Sequence, residues 1–222
     1  YLHFISSHDH SASILKNVIH IDSNASARVI QEYSSHSESA FYSENMVNEV
    51  FVDENASLQW VNIQQQNQKT THIQTTDVQL KKDARFTSHY ISLGGAMIRN
   101  NVNVALDGTN CDAKLYGITK INTQQVVDHH TYIAHNQPHC ESTEMYKHIV
   151  ADKATSIFNG KIYVKKDAQK TNAFQSSQNI LLSDTAKAYS KPELEIYADD
   201  VKCSHGSTTG QLNEEAKFYL KT

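Results

Sequence analysis

The stretch Asp200-Val201-Lys202-Cys203-Ser204-His205-Gly206 sets a thiol and an imidazole two residues apart, beside a glycine. In an extended chain, residues i and i+2 point to the same side, about 7 Å apart. Thiolate and imidazole both ligate iron, zinc and iron–sulfur clusters. Two donors are too few to hold a metal, so a working site needs ligands from elsewhere. The apolar residues of Leu194-Glu195-Ile196-Tyr197-Ala198 fall with the opposite parity. Either the chain bends at Asp199-Asp200, or Cys203 faces outward, where a pair near a chain end could meet a second subunit. The competing interpretation is a structural cysteine beside a turn histidine.

A second group of donors is Asp128-His129-His130-Thr131-Tyr132-Ile133-Ala134-His135 with His139-Cys140-Glu141. It lacks the paired spacings of a zinc finger. His129 and His130 are adjacent, so in a strand they project oppositely and cannot share one metal. Polar ladders and turns account for such a stretch equally well. The chain has no GxxxxGK[ST], hence no ATP site of its own, and no GxSxG or HExxH.

Composition narrows the classes further. The 222 residues suffice for one domain with a substantial core. Lys and Arg number 20 and Asp and Glu 24, for a net charge of -4. The arginines are Arg28, Arg85 and Arg99, too few and too scattered for a phosphate-binding surface, so no nucleic-acid partner is expected. No apolar run approaches the roughly 18 residues of a membrane span, so no membrane partner is expected either. Cys111, Cys140 and Cys203 are too few for a disulfide framework, and the expectation is reduced thiols in a cytoplasmic protein. The chain opens on Tyr1 without a signal peptide, as an internal or processed piece would.

Positioning these groups falls to strands. Ala27–Tyr33, Ser57–Ile63 and Gly160–Lys165 alternate β-branched or aromatic residues with polar ones; Ile162 and Val164 share a face opposite Lys161, Tyr163 and Lys165. The starts of such runs resemble one another: SNASARVI, DENASLQWV, KKDARFTSHYI and NCDAKLYGI align on Ala25, Ala56, Ala84 and Ala113, at steps of about 30 residues. Related segments around Ala154, Ala168 and Ala186 recur at about half that step. Two strands per coil, with Asp, Asn and Ala at the bends, predict an all-β solenoid flattened into two facing sheets, a parallel β-helix. A β-sandwich with chance Asp-Ala turns is the alternative. At the end of the chain, Asn213 is a plausible N-cap, Glu214 and Glu215 suit a helix start, and Leu212, Ala216 and Leu220 recur every four residues. Residues 1–211 are therefore expected to form the solenoid and 212–222 the start of a truncated helical region.

The segments PELEIYADDVKCSHGSTTGQLNEEAKFYLKT (192–222) and VDHHTYIAHNQPHCESTEMYKHIVADKATSIFNGKIYVKKDAQKTNAFQSSQNILLS (127–183) resemble the SufB/SufD family of the SUF iron–sulfur cluster assembly machinery. The resemblance extends over essentially the whole chain. Cys-Ser-His-Gly at 203–206, where the SufB branch carries a Glu-His-Glu-Ala type sequence, favours the SufD branch. The resemblance implies a right-handed parallel β-helix core between helical flanking domains. It also implies a non-catalytic scaffold in a complex with SufB and the ATPase SufC. The β-helix core would pair with SufB, and SufC would dock on the C-terminal helical region. By the same resemblance, His205 and its neighbour Cys203 are the metal- and cluster-facing residues of a transient iron–sulfur cluster shared between subunits. A flavin on the full complex is compatible with the resemblance. In isolation the SufB-facing edge is expected to favour a homodimer, because exposed strand edges pair. The rival functions are a carbohydrate-active β-helix enzyme of the lyase type, which needs converging acidic and basic residues in a groove, and a structural solenoid without a metal role.

Overall fold

The structure, a computed structural model, describes residues 1–211. The helix expected over 212–222 lies outside the described residues. Fifteen strands fill the described chain and form two parallel sheets. One is built from β1 (Leu2–Ser6), β3 (Ser26–Ser35), β5 (Ser57–Gln64), β7 (Arg85–Ser92), β9 (Asp112–Ile121), β11 (Glu141–Val150), β13 (Asn172–Leu181) and β15 (Lys202–Gln211), in that order. The other holds β2 (Ser11–Ile21), β4 (Tyr42–Val52), β6 (Thr71–Leu80), β8 (Met97–Leu106), β10 (Val126–His135), β12 (Thr155–Val164) and β14 (Lys187–Ile196). Consecutive strands alternate between sheets, so the chain winds as a solenoid of about 7 coils with about 29 residues per turn. The alternative of a sandwich is excluded by the parallel pairing throughout. No helix among the described residues is long and apolar enough to cross a membrane.

The bends follow the small-residue logic of the repeat. At the corner entering the first sheet, Asn24, Asn55, Asp83, Asn110, His139 and Lys170 all adopt positive φ, between 55° and 63°. Asn and Asp tolerate this left-handed region best, because the short side chain can bond locally. Their N–H groups join successive coils: Asn24 to the Glu54 carbonyl, Asn55 to Lys82, Asp83 to Thr109. Side chains repeat the ladder, Asn55 to Asn24 at 2.8 Å and Asn110 to Asp83 at 2.7 Å. Each left-handed residue is followed by a small one: Ala25, Ala56, Ala84, Cys111, Cys140 and Thr171. Ala25, Ala56 and Ala84 are equivalent as the repeat predicts, but Ala113 is not. The register pairs Arg85 with Asp112 and Phe86 with Ala113, so the partner of Ala84 is Cys111. That corner, 107–111, is one residue longer than the corner at 81–84, and alignment on alanine skipped the small thiol that takes the alanine's place.

Inside the rod, alternation puts Ser156, Phe158, Gly160, Ile162 and Val164 of β12 inward, and the other strands follow suit. The core is not uniform in cross-section. Around the corner entering the first sheet it is apolar, with Val50, Val52, Leu58, Trp60, Val78, Leu80, Phe86, Val104, Leu106 and Leu115 in one cluster. Further along the strands runs a polar seam: Gln31, Asn48, Asn62, Gln74, Thr76, Asn100, Thr119, His129, Glu144 and His148, all fully buried. The polar composition of the sequence therefore goes partly inward, and not to the outer faces alone.

Candidate functional site

β15 is the last strand of the first sheet and pairs only with β13 among the described residues. Its register sets Cys203 beside Ala173 and His205 beside Gln175, both inward-facing and buried on β13. Cys203 and His205 therefore share the inner face, as i and i+2 require. The chain reaches this geometry by bending between Ile196 and Lys202, where Asp199 and Asp200 lie at the corner. The outward orientation of Cys203 left open by the parity of Leu194 and Ile196 is not adopted. Those residues belong to the opposite sheet, so their parity does not carry across the bend.

The two side chains differ in cover. Cys203 is half-buried and packs on the apolar cluster of Ile162, Val164, Ala168, Ala173 and Ala198. Partial burial pushes its thiol up from the ordinary range, against a backbone hydrogen bond at Ala173. His205 is exposed, because no further coil covers this stretch of inner face among the described residues. Behind His205 the same column runs into the rod: His205 aligns with Gln175, and Gln175 with Glu144. The Gln175 amide donates to the Glu144 carboxylate. Burial nevertheless drives the Glu144 carboxyl up to about 7, outweighing that hydrogen bond.

The second donor group is dispersed by the strand alternation. His129 faces inward, within 3.1 Å of Thr119 Oγ1, and burial holds its imidazole neutral with a strongly lowered pKa. His130 faces outward, 2.9 Å from Asp128, which also binds Arg99 at 2.9 Å. His135 is buried 2.9 Å from Ser142 Oγ. His139 turns a corner, and Cys140 lies beneath it. These residues do not converge on one point. A three-donor group with ligand atoms within 4.8 Å does occur among the described residues, His20 with Asp22 and Asp53, at the opposite end of the rod. The depression on the outer face beside His130, Tyr132, Asn159 and Lys161 has no carboxylate in its lining. Sequence reasoning missed the buried Glu144 and His148, because polar residues at alternating positions read as a solvent face.

The described residues define a class of protein by their fold, a parallel two-sheet solenoid, with a thiol and an imidazole on the inner face of the last described strand. Comparison with known proteins gives that class its family. The model described as "SUF system FeS cluster assembly, SufBD core domain" matches residues 3–222. The chain is 39% identical over 168 residues to the iron–sulfur cluster assembly protein SufD of Escherichia coli, covering 76% of this chain and 40% of that protein. It is 33% identical to an iron–sulfur cluster assembly SufBD family protein of Synechocystis, covering 91% of this chain and 46% of that one. To the chloroplastic protein ABCI7 of Arabidopsis thaliana it is 34% identical, over 87% of this chain and 41% of the relative. The chain belongs to the SufBD family of the SUF iron–sulfur cluster assembly system. It spans less than half the length of these curated relatives.

Proposed function

We propose that this chain is the β-helix core of a scaffold subunit, a carrier and not a catalyst, on which iron–sulfur clusters are built in the cytoplasm. His205 and Cys203 would ligate a cluster that is cargo and not a resident cofactor, with the remaining ligands supplied by a SufB-type partner. That partner would stack on the open inner face and edge of β15. The ATPase SufC would act on helical regions outside the core, consistent with the absence of a P-loop in this chain. Without the partner, the same edge would pair two copies of the chain.

The observation that carries this is the pairing of Cys203 and His205 on one inner face at the last strand, one half-buried and the other exposed. A storage site would surround a cluster with four thiolates. Two donors from one chain, one of them a protonatable imidazole, can release the cluster when subunits move apart. The test is reconstitution of the complex with iron and sulfide, read by visible absorption. His205→Ala is expected to lower the cluster yield several-fold while leaving the strand content unchanged. Wild-type yield from that variant would refute the assignment.

A further inference from the structure

The corner column that carries Ala56 and Ala84 continues as Cys111 and Cys140 in the next two coils. The two cysteines are neighbours across the stack: Asp112 pairs with Glu141, and Glu141 N–H donates to the Cys111 carbonyl at 2.8 Å. Adjacent parallel strands lie about 4.8 Å apart, inside the Cα separation of about 4.4–6.8 Å that a disulfide accepts. The side chains converge as well. Both sulfurs close on one carbonyl, Gly108 O, Cys111 at 3.1 Å and Cys140 at 3.3 Å. Neither cysteine is exposed, yet both sit directly beneath the corner, where Asn110, Gln137 and His139 face solvent.

We propose that Cys111 and Cys140 are a redox modification site, a dithiol that a small peroxide converts into an internal disulfide stapling two successive coils. The pair is asymmetric in a useful sense. Cys140, whose thiol its neighbour Cys111 lowers, takes the part of the attacking thiolate. The thiolate is the nucleophile. Cys140 sulfur attacks one peroxide oxygen, the O–O bond breaks, and the hydroxide released takes the Cys111 proton to become water. Cys111 thiolate then attacks the Cys140 sulfenic sulfur; the S–S bond forms, the S–O bond breaks, and a second water leaves on protonation. Two thiols are oxidised by two electrons, and the peroxide is reduced to two waters. Cys203 lies within β15, two coils further on, and has no thiol neighbour in its column, where Ala173 stands.

The site is independent of the proposed cluster ligands and is tested on the 222-residue chain itself. The protein is treated with hydrogen peroxide, its remaining thiols are alkylated, and it is digested without reductant for mass spectrometry. The expected product is one cross-linked peptide pair holding Cys111 and Cys140, lighter by two hydrogens, cleaved by dithiothreitol and unchanged in Cys203→Ser. Recovery of Cys111 and Cys140 as separately alkylated or separately over-oxidised peptides would overturn the proposal.

Discussion

The polar seam inside the rod is bonded through most of its early coils and left open through much of its late ones. Through β3 to β6, Asn48 binds Asn17 at 2.9 Å, Gln31 at 3.0 Å and Thr76 at 3.2 Å, while Asn62 donates to Gln74 at 2.9 Å. Glu44 is gathered the same way by His72, Ser6 and Gln66; burial alone would raise its carboxyl, but those bonds prevail and lower it. Through β11 to β13 the partners run out. Both ring nitrogens of His148, Tyr146 Oη, Glu144 Oε1, Gln175 Oε1 and Ser177 Oγ are buried without a hydrogen-bond partner. A buried polar group costs little when bonded and a few kcal/mol when orphaned. Tyr42 Oη and Trp60 Nε1 are orphans in the early coils, but the denser run of unspent bonding capacity lies one or two coils behind Cys203 and His205.

Substitutions turn that contrast into numbers. Asn48→Ala should have the largest effect, about 3 kcal/mol of destabilisation in urea unfolding, because it strands the buried Gln31 amide and takes one partner each from Asn17 and Thr76. A cost below about 1 kcal/mol would break the contrast at its closed end. Glu144→Gln should act in the opposite direction. With its folded pKa at about 7, above the ordinary carboxylate range, Glu144 retains a proton that the unfolded chain releases. Its contribution is full below about pH 4.5 and lost as pH rises through about 7, so at pH 8 the glutamine variant should be more stable by up to about 3 kcal/mol. Acid melting has the reverse sign. His135 and His148 are held down at about 4 by burial, so stability is full above about pH 6.5 and falls as pH drops toward about 4. His148→Gln should flatten that limb in thermal melts followed from pH 7 to pH 4. The smallest effect belongs to the rim: His205→Ala should change stability by less than about 0.5 kcal/mol, since an exposed side chain away from caps and cores contributes little.

Much of the coil was legible in the sequence, because a repeat writes the same corner many times. Ala25, Ala56 and Ala84 mark equivalent bends, and the alternation over Ser57–Ile63 corresponds to β5. Ile162 and Val164 face inward as their parity predicts. The i, i+2 rule likewise put Cys203 and His205 on one face. What stayed hidden was whatever depends on stacking. Cys111 replaces an alanine at a corner, and its pairing with Cys140 follows only from the register. Glu144 and His148 sit at positions whose inward facing no single strand reveals, since a polar residue in an alternating run normally marks the wet side. The parity of β14 could not orient β15, because a bend into the other sheet resets it.

Central to the proposed function is ligation of cluster iron by His205 from the last described coil. Pulsed electron paramagnetic resonance of the reduced cluster, on a complex whose copy of this chain carries isotopically labelled histidine, tests it directly. A hyperfine coupling from a directly bound imidazole nitrogen is the predicted result. A loaded, reduced cluster showing no such nitrogen would contradict it.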